Sequence, residues 1–202
     1  MKNNKIRILT ECAVMLAAAS ALSFVKFHMW AYGGGITACS MLPLVIICRR
    51  HGTKVGLLTA FAHSVLQLFF GFGNVTYVSE ETAFPVNVLM ILGVILLDYI
   101  IAYTVIGLSS AYQNRKHESS LSISGGIAAS FALRFLCHFL SGWIIWEALA
   151  PNELRWAAPV WSMVYNASYM IPEILLTCIA AFAINENTAL MDRLGASTAD
   201  MK

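Results

Sequence analysis

The chain has 202 residues, 58% of them hydrophobic and 12% charged, with a formal net charge of +2. An ordinary soluble domain carries roughly 25% charged residues, so this composition reads as a membrane protein with room for about six helices of ~20 residues. It excludes a separate catalytic head, a nucleic-acid-binding module and a disulfide-stapled secreted fold.

Six apolar runs follow in chain order, all within one integral-membrane domain over 1–202. The first is Ile8–Val25. Lys2, Lys5 and Arg7 before it and Ala17-Ala18-Ala19 within it resemble a signal peptide, but Glu11 opens the stretch and five more runs follow. A retained helix is the better reading. In it Ala13, Ala17 and Ala21 recur every four residues, a smooth stripe that lets another helix approach closely in lipid. That helix belongs either to a partner or to this same bundle.

The second run, Ile36–Cys48, is about 13 residues, too short to cross ~30 Å at 1.5 Å per residue. It reads as a tilted or partly embedded helix extended by Gly33–Gly35. The third run is Val55–Phe70, where His63 and Gln67 lie one turn apart. The segment Phe72–Phe84, acidic and without Lys or Arg, reads as an outward loop. Then come Phe84–Leu108, the polar connection Tyr112–Ser122, and the runs Ile123–Trp146 and Ala157–Ile184.

The charges give a direction. Ten of the thirteen Lys and Arg fall in the N-terminal arm, the connections after runs two and four, and the tail. The alternate connections hold only Lys26 and Arg155, and Arg134 lies inside run five. The positive-inside rule therefore puts both termini in the cytoplasm, as an even number of spans requires. The expectation is an all-α membrane protein, a bundle of six transmembrane helices.

No G-x-x-x-x-G-K-[ST] loop is present, so ATP hydrolysis has no recognisable seat in this chain. The five cysteines read as small apolar residues, and no metal or cofactor site is expected.

Ionisable residues at bilayer depth are functional candidates. Asp98 lies near the middle of run four beside Tyr99 and Tyr103; Arg134 and His138 lie in run five; Asn166 and Glu173 lie in run six. His138, Gly142 and Trp146 share one helix face. With Trp161 and Asn166 in the outer half of run six, they would converge with Asp98 in a pocket opening outward. Its aromatic walls suit a flat cation, a buried carboxylate adds an attraction little screened by water, and His138 and Asn166 can hydrogen-bond a heteroaromatic ring. Gly142 would leave room for that ring. Two plainer readings stand beside this: an Asp98–Arg134 ion pair inside the bundle, and tryptophans as interfacial anchors, the role kept for Trp143 and Trp156.

The motif Leu133-Arg134-Phe135-Leu136-Cys137-His138-Phe139-Leu140-Ser141-Gly142 followed by Trp146, with Leu97-Asp98-Tyr99 and Trp161-Ser162-Met163-Val164-Tyr165-Asn166, resembles the ThiT family. Ser40-Met41-Leu42-Pro43 and the Glu11 helix match too, so the likeness runs from Thr10 to about Ala181. These are thiamine-specific substrate-binding (S) components of energy-coupling factor (ECF) transporters. The resemblance implies a protein of the bacterial plasma membrane that binds thiamine from outside without enzymatic activity. Its implied partners are a transmembrane scaffold subunit and two cytoplasmic ATPases. By motif match the thiamine contacts are Asp98, Tyr99, His138, Gly142, Trp146, Trp161 and Asn166, while Ala13 and Ala17 resemble the surface that docks on the scaffold.

The chain departs from the family pattern in places. Aspartate stands at 98 where glutamate can occur, tryptophan stands at 161 where tyrosine can occur, and the loop after Gly71 looks longer. Neither Tyr77 nor Trp30 is carried over as a contact. Two alternatives stay open: an S component for another vitamin or for a thiamine precursor such as hydroxymethylpyrimidine, and a small intramembrane enzyme using His138 with Asp98 or Glu173. No H-x-x-x-H or G-x-S-x-G spacing supports the latter.

Overall fold

The computed structural model describes residues 2–28, 34–111, 120–150, 152 and 154–186. Trp30, Gly33, residues 112–119, with the basic pair Arg115 and Lys116, and the tail after Glu186 lie outside these residues.

Helix α1 is Lys2–Phe24. A two-stranded antiparallel hairpin follows, β1 Lys26–His28 and β2 Gly35–Thr37, with Lys26 opposite Thr37. The remaining helices are α2 Leu42–His51, α3 Thr53–Phe70, α4 Phe72–Glu81, α5 Val86–Leu108, α6 Leu121–Leu149 and α7 Ala158–Glu186. Five of them, α1, α3, α5, α6 and α7, are long and apolar enough to cross a membrane. Their outward faces carry large exposed apolar side chains such as Leu58, Leu89 and Ile179, the surface a lipid environment demands.

The all-α class holds, but two segments differ from the sequence expectation. Run two is not one tilted helix. Gly35 belongs to a strand, and the backbone turns through Ala38–Met41, with Cys39 at φ 56°, before α2 begins. Pro43 sits in the first turn of α2, where its missing N–H costs nothing. Ten residues reach only ~15 Å, so α2 covers half a bilayer. Its residues Leu44, Val45, Ile47 and Cys48 are buried. Gly52, at φ 85°, reverses the chain into α3, a conformation that suits glycine.

The second difference is that the expected loop 72–84 contains α4. Val75 and Val78, three residues apart, are buried against Val94, Tyr99 and Ile145, while Glu80 and Glu81 face out. One buried stripe of two valines is enough to order a helix whose overall composition is polar.

The bundle has two unlike ends. The basic end carries Arg7, Arg49, Arg50 and the α2–α3 turn; the hairpin end carries β1, β2 and α4. Toward the basic end the interior is solid, packed by Leu44, Val45, Ile106, Ile123, Ile127 and Phe131. Close helix approach there depends on small residues: a Cβ on Gly56 would stand 2.3 Å from Cys48 Sγ.

Helix α1 lies on the outside and is tied down by Glu11. That carboxylate accepts hydrogen bonds from Arg7 Nε (3.1 Å) and Arg50 Nη2 (3.0 Å) and lies 2.6 Å from His51 Nε2. Ala19 is buried, whereas Ala13, Ala17 and Ala21 are exposed. The alanine stripe thus does not pack within this bundle. It is presented outward.

Candidate ligand-binding cavity

The hairpin end is hollow. A cavity of about 670 Å³ opens there between α1, α3, α5, α6 and α7, a volume typical of small-molecule sites. Asp98, Tyr99, His138, Gly142, Trp146, Trp161 and Asn166 all border it. The helices that bring them together are irregular where it matters. Helix α5 widens into a π turn at Ile95–Ile100, around Asp98, and α6 does so at Gly142–Trp146. Such turns re-aim side chains and recur at functional sites.

Asp98 is the organising group. Its Oδ1 lies 3.1 Å from His138 Nδ1, and its Oδ2 accepts hydrogen bonds from Ser141 Oγ (2.7 Å) and Trp146 Nε1 (2.8 Å). Three residues of α6 therefore fix one carboxylate of α5. The Asp98–Arg134 pair considered from sequence is not formed. Arg134 faces away toward Glu173, 3.9 Å off, and lies over the ring of Tyr103 at 4.5 Å.

The contact to Asp98 sets the histidine tautomer. With Nδ1–H donated to the carboxylate, the neutral ring presents Nε2 as an acceptor. That nitrogen is buried and has no protein partner.

Trp146 is held by the bond from its indole N–H to Asp98 and lies parallel to Tyr77 (centroids 6.3 Å, 9°). Across the cavity, Trp161, Tyr165 and Tyr169 form an aromatic ladder with 6.0 Å steps. The Tyr165 hydroxyl accepts from the Gly34 N–H (3.0 Å), which pins the hairpin over this wall.

Three of the cavity residues also make contacts within the bundle. Gly142 borders the cavity, but the direction its Cβ would take is filled: Ser162 Oγ stands 2.3 Å from that point. The missing side chain lets α7 approach α6, where Ser162 Oγ donates to the Phe139 carbonyl (2.8 Å). Asn166 spends its amide internally. Its Nδ2 donates to the Ser162 carbonyl (2.8 Å) and the His138 carbonyl (3.3 Å), and its Oδ1 accepts from the Tyr169 hydroxyl, leaving one lone pair for anything else. Tyr99 donates to the Gly71 carbonyl (2.9 Å) and accepts from Asn74 Nδ2 (2.9 Å). It anchors α4 over the cavity.

The Gly142 contact makes a direct prediction. Gly142→Ala overpacks the α6–α7 seam and is expected to destabilise the protein by ~1–3 kcal/mol, read as thermal unfolding in detergent. Adding Ser162→Ala, which removes the clashing hydroxyl, should recover most of that loss. No recovery would show that the seam is not where the strain falls.

Tyr169, Gln67 and Asn74 also border the cavity, beyond the residues to which the sequence points. The fourfold spacing of Trp161, Tyr165 and Tyr169 is the signal that points to Tyr169. Gln67, bonded to His63 (3.2 Å), shows in the sequence only its one-turn spacing from that histidine. Asn74 could not be reached without knowing that 72–81 is helical.

Comparisons with known proteins agree with this architecture. The family model described as "Thiamine transporter protein (Thia_YuaJ)" matches residues 9–191. The chain is 31% identical over 183 residues to a protein named thiamine transporter ThiT from Bacillus subtilis, covering 85% of this chain and 86% of the relative. It is 23% identical over 190 residues to one of the same name from Lacticaseibacillus paracasei, covering 88% and 86%. A solved structure of ThiT from Listeria monocytogenes superposes with a TM-score of 0.69 at 20% identity, covering 92% of this chain and 97% of that one, which speaks to the fold alone. With nearly its whole length matched, this chain belongs to the thiamine transporter family Thia_YuaJ.

Proposed function

We propose that this chain is the thiamine-capturing S component of an ECF-type uptake system in a bacterial plasma membrane. In this reading the basic end is cytoplasmic, both termini lie there, and the cavity opens outward. The seven residues Asp98, Tyr99, His138, Gly142, Trp146, Trp161 and Asn166 then build the site, some by touching the vitamin and some by holding those that do.

The observation that carries the reading is the Asp98–His138–Trp146 cluster. Thiamine is a permanent cation with an aminopyrimidine. Asp98 supplies the opposite charge at depth, and its protein partners are His138 and the neutral donors Ser141 and Trp146. His138 Nε2 supplies an acceptor for the amino group. The aromatic walls add ~0.5–2 kcal/mol per well-placed face. The family's named members are transporters, so the activity is capture for transport rather than catalysis.

Uptake then requires the scaffold and two ATPases, for which α1 offers Ala13 and Ala17 as the docking surface. Small exposed residues on a lipid-facing helix support that use, since the stripe has no role inside this bundle.

The test is a ligand screen on detergent-purified protein: mass spectrometry of whatever co-purifies, then calorimetric titration with thiamine, riboflavin, biotin and hydroxymethylpyrimidine. Thiamine should be found and should bind tightest. Preference for hydroxymethylpyrimidine would reassign the chain to a precursor, and for riboflavin or biotin to another vitamin.

A further inference from the structure

The four-residue spacing of Trp161, Tyr165 and Tyr169 continues for one more turn of α7 and ends on a carboxylate, Glu173. Glu173 is 1% exposed and borders neither the main cavity nor the smaller one of about 90 Å³ beside it. An ionised group at that depth is costly. Arg134 offsets its charge, yet Nη1 stands 3.9 Å from Oε1, longer than a hydrogen bond. The short contact lies elsewhere. The same Oε1 accepts the hydroxyl proton of Thr37, in β2, at 2.6 Å.

Thr37 is where the hairpin meets the bundle. Its hydroxyl, having given its single proton to Glu173, accepts from the Ser40 N–H (3.2 Å) and lies 2.7 Å from Ser40 Oγ. Thr37 also stands opposite Lys26 in the strand register, so the carboxylate holds the hairpin at its base. Before the other end of β2, the Gly34 N–H is fixed on the Tyr165 hydroxyl. Gly34 lies so close to Tyr169 that a Cβ there would meet the ring at 2.9 Å. A lone two-stranded hairpin is marginal in water, and these strands have three residues each. Lys26 and Gly34 both border the main cavity. The place of that wall therefore rests on its ties to α7, and the bond to Glu173 is of the stronger, charge-assisted kind.

We infer that Glu173 is a positioning residue for ligand retention: through Thr37 it holds the hairpin wall of the main cavity in place and so sets how long a bound ligand stays. The inference rests on the thiamine reading of that cavity.

The experiment measures thiamine association and dissociation rates by stopped-flow tryptophan fluorescence on detergent-purified wild type, Thr37→Val, Thr37→Ser, Ser40→Ala and Glu173→Gln. Thr37→Val keeps the shape and deletes the bond. It should raise the dissociation rate roughly tenfold, the scale of one charge-assisted hydrogen bond, with the association rate changed less than about threefold. Thr37→Ser restores the hydroxyl and should return the wild-type rate. Ser40→Ala leaves the Thr37–Glu173 bond intact and should stay within about threefold of wild type. Glu173→Gln offers Thr37 only a neutral acceptor and should also speed dissociation. Adding Thr37→Val to it should change little more, because both substitutions act on one bond. An unchanged dissociation rate in Thr37→Val, no rescue by Thr37→Ser, an equal rise in Ser40→Ala, or multiplicative effects in the double variant overturns the inference. If Glu173→Gln fails to fold beside Arg134, the three hairpin variants carry the test. Should wild type bind no thiamine, the thiamine reading has failed separately. The tie is then scored by amide hydrogen exchange of the ligand-free protein. The β1 and β2 amides should exchange roughly tenfold faster in Thr37→Val than in wild type and Thr37→Ser, and equal exchange overturns the tie.

Discussion

Asp98→Asn is expected to weaken thiamine binding about a hundredfold in a calorimetric titration while leaving the protein folded. A cation ~5 Å from a carboxylate gains about 3 kcal/mol at an effective dielectric near 20, and each 1.4 kcal/mol is tenfold in affinity. The substitution keeps the shape of the side chain, and one oxygen still accepts from α6. Trp146 Nε1 or His138 Nδ1 must then face an amide N–H instead of an oxygen, so a positional loss accompanies the electrostatic one.

Two ligands separate those contributions. Thiamine carries a permanent charge, whereas hydroxymethylpyrimidine is neutral and shares only the ring that would meet His138. If the charge acts on the ligand, thiamine loses about a hundredfold and the pyrimidine less than about tenfold. Equal losses would mean that Asp98 works by aiming His138 and Trp146. Unchanged thiamine affinity would remove Asp98 from the binding account altogether.

The limits of reading this fold from sequence follow from what each residue's neighbours are. Long apolar runs announce themselves by composition, because lipid imposes the same demand on every turn; α3, α5, α6 and α7 were found that way within a few residues. Helix α4 was missed because its burial rests on two valines whose partners, Val94 and Ile145, are distant in the chain. The hairpin was missed because three-residue strands leave no periodic pattern to find.

The site divides in the same way. Costly groups at membrane depth are visible in a sequence, and all seven named residues do border one cavity. What each one does there is set by packing. Gly142 also makes space for Ser162, and Asn166 also braces α7 against the His138 carbonyl of α6. The π turns decide the rest. Across the π turn of α6, Ser141 and Trp146, five residues apart, reach the same oxygen of Asp98, a spacing that a regular 3.6-residue period does not provide.

Ala13→Trp is expected to abolish thiamine uptake in cells that also carry the scaffold and ATPase subunits, with binding by the purified variant unchanged. The separation follows from geometry. Among the described residues, α1 borders the cavity through Ser23 and Phe24, ten or more residues from Ala13, which is ~15 Å along the helix. An indole at 13 would therefore leave the cavity alone. It would stand out from a face where Ala13, Ala17 and Ala21 are all exposed, blocking the close backbone approach that small residues permit in lipid. Glu11 keeps that face turned outward by tying α1 to Arg50 and His51, so the variant helix has no route to bury the added ring. Ala13→Ser, which stays small, should transport normally. Uptake by Ala13→Trp at the wild-type rate would remove the stripe from docking, and a loss of binding in the purified variant would place Ala13 within the bundle's own stability instead.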